Sequence, residues 1–239
     1  MYILVFDTTG PVGSAAVLDT ESGRTRMKET REAMSHLRRL AALTEELLRE
    51  QSLQPPDLSA VAASIGPGSY TGIRIGVSSA RAFAQGAGLP CIAVPTLDMF
   101  RLHADGTRPV CVIFNARRGQ VYGAVFDRDG SDILKPGPYM LTDVLEAVKE
   151  HDLDPVFYGD GIDAYGDQLE GYTLAPEEER SQTAALAARY ALPAFLEGKT
   201  CTVSELKPEY MRKTEAEQKL ADGSLARARA AKMAKFRSR

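Results

Sequence analysis

The stretch Ser64-Ile-Gly-Pro-Gly-Ser-Tyr-Thr-Gly-Ile-Arg-Ile-Gly76 joins an apolar run to an alanine-rich segment. The run, residues 58–65, predicts a buried strand, and residues 73–85 predict a helix. A glycine turn between a strand and a helix can present backbone N–H groups to an anion. The same glycines also suit a sharp turn that needs positive φ and binds nothing. Spacing alone leaves both interpretations open.

Two well-known nucleotide loops are excluded by the residues that follow these glycines. A P-loop has Gly, four residues and then Gly-Lys-Ser/Thr, but Ile73 and Arg74 follow Gly72 here. A dinucleotide fingerprint has the spacing Gly-x-Gly-x-x-Gly, and here the third glycine comes one residue late. The loop therefore has to be interpreted from the rest of the chain.

Composition excludes several broad classes of protein. The chain has 239 residues, 44% of them hydrophobic, and a net charge of −3, so as a whole it is not a nucleic-acid polycation. Its three cysteines are odd in number and far apart, which predicts neither a disulfide framework nor a CxxC metal pair. The first apolar run is broken at Asp7 and no run is long enough to cross a membrane, so we expect a cytoplasmic protein without a signal peptide or membrane contact.

A second candidate phosphate site follows the first predicted strand. Residues 2–6 are almost continuously apolar, which is typical of a strand buried on both faces. They lead into the turn Asp7-Thr-Thr-Gly10. An aspartate at the end of a strand can hold a hydrated cation or orient a nucleophile. The alternative is that Asp7 only satisfies local backbone groups.

The plan of strand, turn, strand and hairpin occurs again in residues 109–130. We therefore predict an α/β protein with a duplicated actin-like fold (ASKHA, ribonuclease H-like), each lobe a mixed sheet with flanking helices. The predicted lobes are residues 1–103 and 104–212, followed by a charged, basic tail over residues 213–239. The second turn departs from the phosphate-binding pattern of actin, Hsp70 and sugar kinases. Asn115 replaces its acid, and Arg117 and Arg118 stand where glycines would admit a phosphate.

Four segments together resemble the TsaB (YeaZ) family: Asp7-Thr-Thr, the block over residues 66–76, residues 115–122 (Asn-Ala-Arg-Arg-Gly-Gln-Val-Tyr) and residues 208–212 (Pro-Glu-Tyr-Met-Arg). The resemblance extends to about residue 217. Asn115 and Gln120 replace the Asp and Glu that are usual in the family's second turn, which weakens any case for cation or nucleotide binding there.

The resemblance implies a function. TsaB proteins are partner subunits in making N6-threonylcarbamoyladenosine, next to the anticodon of transfer RNAs that read codons beginning with adenine. The paralogue TsaD transfers the threonylcarbamoyl group, and TsaE is an associated ATPase. By this resemblance the chain is a non-catalytic scaffold that dimerises with TsaD. It would need no metal or other cofactor itself, because ATP and metal are used by the partner subunits. Whether it forms a homodimer when alone stays open.

By position, the resemblance places the partner interface on the helices predicted at residues 35–50 and 73–85. The interface residues we predict are His36, Leu37, Leu40, Ile73, Arg74, Val77, Ala80 and Arg81. Asp7, Thr8 and Thr9 are the candidate vestigial nucleotide site. Residues 213–239 carry eight Lys/Arg and three Asp/Glu, which predicts either RNA contact through charge or a solvated tail. The candidate RNA contacts are Arg227, Arg229, Lys232 and Lys235.

The alternative function is a stand-alone enzyme of the same fold, either a phosphotransferase or a glycoprotease-like peptidase. A peptidase needs a metal pair or a nucleophile beside a positioned base. The three histidines, at positions 36, 103 and 151, are scattered along the chain. A phosphotransferase needs both phosphate turns, and the second does not match. The residues therefore favour the scaffold over the enzyme.

Overall fold

The structure is a computed structural model that describes residues 1–30 and 36–212, without the side chains of residues 36–38. Residues Met1–Glu209 form one compact unit. The predicted tail contacts Arg227, Arg229, Lys232 and Lys235 lie outside the described residues.

The first sheet contains the strands Tyr2–Asp7 (β1), Gly13–Asp19 (β2), Thr25–Thr30 (β3), Leu58–Gly66 (β4) and Cys91–Pro95 (β5). They lie in the order β3-β2-β1-β4-β5. The strands β1, β2 and β3 form an antiparallel meander, and β4 and β5 run parallel to β1. The central strand β1 is buried over Ile3–Asp7 because both faces of the sheet are covered.

The second sheet repeats this plan with Val110–Asn115 (β6), Gln120–Phe126 (β7), Asp132–Met140 (β8), Val156–Tyr158 (β9) and Thr173–Leu174 (β10). Its order is β10-β9-β6-β7-β8, with β6, β7 and β8 antiparallel and β9 and β10 parallel to β6. The two sheets share one topology, which confirms the predicted duplicated α/β fold. The repeated plan implies a strand after the hairpin near residue 130 without giving its bounds, and β8 is that strand; β10 was not predicted.

Helices cover the sheets. They are His36–Glu50 (α1), Tyr70–Ala87 (α2), Leu141–Glu150 (α3), Gly161–Tyr165 (α4), Glu177–Arg180 (α5) and Ala184–Leu196 (α6). Helices α1 and α2 bury apolar side chains against Leu4 and Phe6 of β1. The alternate β1 residues point to the opposite face, where α6 packs. Helix α3 covers the second sheet through Val144 and Val148.

The predicted lobe boundaries at residues 103 and 212 stay a prediction. The two sheets do lie on either side of residue 103. Helix α6, however, follows the second sheet in sequence and packs against β1, β2, β4 and β5 of the first. The order of elements along the chain therefore does not by itself assign each helix to a sheet.

Candidate functional site

The turn after β1 is closed over by the protein itself. Asp7 and Thr8 have no solvent exposure, and Thr9 is 1% exposed. Asp7 Oδ1 accepts hydrogen bonds from the Thr9 backbone N–H and the Thr9 hydroxyl, each 3.0 Å long. This is the local backbone arrangement named above as the alternative to a phosphate site. In this conformation the turn is a buried, internally bonded corner.

One oxygen of Asp7 stays unsatisfied. Among the described residues neither Asp7 Oδ2 nor Ser64 Oγ has a hydrogen-bond partner. Burial raises the pKa of Asp7 to about 6, although the nearby Ser64 hydroxyl and the two bonds from Thr9 oppose the rise. Loss of hydration disfavours the charged carboxylate more than these dipoles favour it.

This titration makes stability depend on pH. The pKa of Asp7 in the folded protein, about 6, lies above its ordinary 3.8. Protonation of Asp7 therefore stabilises the folded state. This contribution to the free energy of unfolding is complete below pH 3.8 and is lost as pH rises through 6. The substitution Asp7→Asn keeps an acceptor for Thr9 and removes the charge. Relative to wild type, the free energy of unfolding of the variant should rise by about 3 kcal/mol as the pH is raised from about 4 to about 7.5, measured by urea unfolding.

Asp19→Asn is the control for this prediction, because the hydrogen bond from the Ser22 hydroxyl and that from the Glu21 N–H lower the pKa of Asp19. Asp19→Asn should lower the free energy of unfolding at neutral pH, which is the opposite sign. A carboxylate whose pKa is lowered in the folded protein stabilises it at pH values above its ordinary pKa. An Asp7→Asn stability difference that is flat with pH would contradict a buried, titrating Asp7.

The glycines of the opening stretch make room for this turn. Helix α2 begins at Tyr70, three residues before its predicted start, with Ser69 as its N-cap. The Ser69 N–H donates to Thr9 O at 2.7 Å, and the Thr8 hydroxyl donates to Gly72 O at 2.6 Å. A Cβ at Gly68 would overlap the Thr9 carbonyl oxygen, and one at Gly72 would overlap that of Thr8.

The space that these glycines leave is therefore occupied by the Asp7 turn itself. Gly66 and Gly68 adopt φ of +123° and +153°, as the sharp-turn interpretation requires. Asp7, Thr8 and Thr9 as a nucleotide site stay a prediction, and in this conformation all three side chains are buried. The residues of this turn fix the start of α2 against β1.

A groove of about 700 Å³ lies between α1 and α2. Phe6, Leu40 and Leu48 are buried side chains at its base. The other residues that line it are Ala41, Thr44, Glu45, Arg49, Leu53, Gln54, Pro55, Ser79, Ala82 and Phe83. The groove thus has an apolar base, with the charged side chains Glu45 and Arg49 among its other lining residues.

The turn of the second sheet is built differently. Asn115 is exposed, and its Oδ1 accepts hydrogen bonds from the Arg117 N–H at 2.8 Å and the Tyr165 hydroxyl at 3.2 Å. Arg117 and Arg118 adopt φ of +66° and +57°. The Asn115 N–H donates to Asp160 Oδ1, and burial raises the pKa of Asp160. The groups around this turn bond to one another.

The described residues hold no cluster of three or more His, Cys, Asp or Glu side chains that could bind a metal ion. His103 stacks on Tyr158 with the ring centres 4.3 Å apart, and His151 follows the end of α3. In the part of the chain that the structure describes, no helix is both long and apolar enough to cross a lipid bilayer.

The predicted interface residues fall on both sides of their helices. Leu40, Ile73, Val77 and Ala80 are at most 2% exposed and belong to the protein's own core. Arg74 and Arg81 are exposed, and the Arg74 guanidinium lies 4.3 Å from the centre of the Tyr70 ring. The side chains of His36 and Leu37 are outside the described part of the structure. The interface itself stays a prediction, and in this structure the four buried residues contact the protein's own core.

Known proteins similar to this chain share most of its length. The family described as TsaD, tRNA N6-adenosine threonylcarbamoyltransferase, matches residues 30–220. The tRNA threonylcarbamoyladenosine biosynthesis protein TsaB of Bacillus subtilis is 34% identical over 193 residues, which cover 77% of this chain and 83% of that protein. The chain belongs to the TsaB family. TsaB of Escherichia coli is 32% identical over 199 residues, 77% of this chain and 84% of that protein.

A solved structure agrees with this membership. YeaZ from Pseudomonas aeruginosa superimposes with a TM-score of 0.73 at 24% identity, covering 87% of this chain and 99% of that one. At that identity the likeness shows the fold alone. The resemblance to the TsaB (YeaZ) family and the duplicated actin-like fold are both confirmed.

Most residues that line the groove of this TsaB-family chain are not among the predicted interface residues. Ser79, Ala82 and Phe83 of α2 line the groove. The α2 residues predicted for the interface are either buried (Ile73, Val77 and Ala80) or exposed without lining the groove (Arg74 and Arg81). A signal was present, because small residues occupy the other face of the predicted helix and Phe83 sits among them. Hydrophobic periodicity marks the face that packs on the protein's own sheet, so it favoured the core residues over the small-residue face.

Proposed function

We propose that this TsaB-family chain is a non-catalytic subunit in the synthesis of N6-threonylcarbamoyladenosine on transfer RNA. It binds a TsaD-type transferase and supports it. The groove between α1 and α2 carries the proposal, because its lining offers a partner helix an apolar base within a polar rim. Family membership supports the same pathway.

The Asp7 turn supports the non-catalytic part of the proposal. A catalytic or nucleotide-binding carboxylate has to reach its substrate. Asp7 has no solvent exposure, and the N-terminus of α2 packs against its turn through the Ser69–Thr9 and Thr8–Gly72 hydrogen bonds. In this arrangement the turn positions the helix that forms one wall of the groove. No specific observation favours the stand-alone phosphotransferase or peptidase.

The remaining partners follow from the pathway. We propose that a TsaE-type ATPase acts in the same complex, that transfer RNA reaches this chain through the complex, and that the protein works in the cytoplasm, where transfer RNA is modified. ATP and metal are then used by the partner subunits, and this chain needs no cofactor itself. When the transferase is absent, the same groove is available for a homodimer.

Reconstitution tests the proposed function. The assay combines the transferase, the ATPase and the enzyme that forms the threonylcarbamoyl adenylate with transfer RNA, and measures modified adenosine by mass spectrometry of nucleosides. We expect omission of this chain to lower the product at least about tenfold, the effect of losing a coupling near 1.4 kcal/mol. Undiminished product without the chain would rule out the proposed function.

A variant separates scaffold from enzyme in the same assay. Asp7→Asn keeps the fold and removes the only buried carboxylate of the first turn, so a scaffold carrying it should restore product to the wild-type level. The purified chain alone should not turn over ATP at about 1 per second, an ordinary enzymatic rate. Loss of product with Asp7→Asn, or turnover at that rate, would show that the chain is itself an enzyme.

A further inference from the structure

Cys91 and Cys201 lie directly opposite each other at the edge of the first sheet. The Cys91 N–H donates to Cys201 O, and the Cys201 N–H donates to Cys91 O, both at 2.8 Å. This exchange of two hydrogen bonds defines an antiparallel pair whose Cα atoms are about 5.5 Å apart. Disulfides most often join Cα atoms about 5.5–6 Å apart, which this pair matches. The bond also needs Cβ atoms about 3.5–4.5 Å apart, so the two side chains must move together from the roughly 5.5 Å of a hydrogen-bonded pair.

The two thiols also lie on the same side of the sheet. Opposed residues of an antiparallel pair point to one face. Cys91 belongs to the core cluster between the sheet and helices α1 and α2, and Cys201 packs against that cluster. Cys201 is close enough to contribute to the raised pKa of Cys91. Backbone register and side-chain contacts thus agree.

Only one of the two thiols is accessible. Cys91 has no solvent exposure, whereas Cys201 is partly exposed and lines a surface groove of about 500 Å³ with Leu89, Pro90 and Glu205 among its neighbours. A small-molecule disulfide can therefore react with Cys201 first, and the adjacent buried Cys91 can then complete the thiol–disulfide exchange.

We propose that Cys91 and Cys201 form a redox-sensitive intramolecular disulfide that fastens the segment after α6 to the edge strand β5. Oxidised glutathione is the oxidant. The Cys201 thiolate attacks one of its sulfurs, which makes a mixed disulfide and releases one glutathione. The Cys91 thiolate then attacks the Cys201 sulfur and displaces the second glutathione. Two protein thiols are oxidised, one glutathione disulfide is reduced to two thiols, and these take up the two protons.

The reduced pair persists until an oxidant is present. Burial raises the pKa of Cys91 to about 11 and also raises that of Cys201. Because the thiolate is the reactive form, both cysteines attack slowly at neutral pH. The pair thus responds to a sustained oxidising environment and not to brief exposure.

The disulfide would act on a segment that touches the opening stretch. Downstream of Cys201, Leu206 is fully buried in the first core cluster, and the Glu209 N–H donates to Ile65 O at 2.8 Å. Ile65 immediately precedes the glycine turn. Fastening residue 201 to β5 therefore holds down the chain that packs beside that turn.

Mass spectrometry of the folded, full-length protein tests the proposal. We expect incubation with oxidised glutathione to remove the mass of two hydrogen atoms, and non-reducing peptide mapping to find the peptides of Cys91 and Cys201 joined. The third cysteine, Cys111, is fully buried and serves as the internal control. It should stay reduced and be alkylated only after unfolding.

Substitutions make the assignment specific. Cys111→Ser should still form the disulfide. Cys91→Ser should carry one glutathione on Cys201 and form no intramolecular disulfide. Cys201→Ser should form neither the disulfide nor a glutathione adduct. The oxidised wild type should unfold roughly 5–10 °C higher than the reduced protein. A thiol pair that stays reduced, a linkage through Cys111 or between two molecules, or an unchanged unfolding temperature would overturn the proposal.

Discussion

Gly72→Ala is expected to destabilise the protein by about 3 kcal/mol or more, a large part of the 5–15 kcal/mol typical of a folded domain. The added Cβ would overlap the Thr8 carbonyl oxygen, and this neighbour is backbone that cannot rotate away. Relief requires α2 to move from the Asp7 turn, which breaks the 2.6 Å bond from the Thr8 hydroxyl to Gly72 O. Equilibrium urea unfolding measures the loss.

Gly86→Ala is the matched control, since Gly86 lies in the same helix and a Cβ there meets nothing within 4 Å. Removing a glycine from an exposed helical position stabilises by about 0.5–1 kcal/mol. The two variants thus make the same chemical change with opposite expected signs. Equal stabilities for Gly72→Ala and Gly86→Ala would mean that the close approach of Thr8 to α2 does not hold in solution.

The central strands could be predicted from the sequence because strands buried on both faces consist of continuous apolar runs. Residues 2–6 and 58–65 became β1 and β4 nearly as predicted. The start of α2 was predicted three residues late, because Gly72 discourages a helix by propensity. Its role is tertiary, as it admits the Thr8 carbonyl. That reason is visible only once β1 and α2 lie side by side.

The bounds of strand β8 were not predicted, for a related reason. Asp132–Met140 contains Pro136 and Pro138, which lower the expectation of a strand. Proline lacks the N–H that a central strand must donate, but β8 is the edge of its sheet and pairs only with β7. An edge position is a property of the assembled sheet, so the local sequence could not supply it.

The candidate site was predicted only in outline. The groove lies between the two helices predicted to carry the partner interface, and both helices lie over the first sheet, but the interface itself stays a prediction. Within α2, the regularly spaced Ile73, Val77 and Ala80 are predicted interface residues, and they pack into the core. Hydrophobic periodicity identifies the face that packs on the protein's own sheet more strongly than a weaker, small-residue face that packs on a partner.

Ala41→Arg is expected to weaken binding of the TsaD-type transferase at least about 100-fold while leaving the protein folded. Ala41 is exposed and lines the groove, so a long charged side chain there projects into the surface that a partner would bury. An unpaired charge in a desolvated interface is among the most costly substitutions. Isothermal titration calorimetry with the purified transferase measures the affinity, and urea unfolding checks the fold.

Ala42→Arg is a close control, because Ala42 is the next residue of the same helix, is also exposed and does not line the groove. It adds the same charge and side chain to α1, so any effect through net charge or helix propensity appears in both variants. We expect Ala42→Arg to bind within about threefold of wild type, as surface substitutions outside an interface do. If both variants bind the transferase equally well, the partner docks elsewhere. If both variants lose binding equally, the loss comes from the charge or side chain added to α1 and not from blocking the groove.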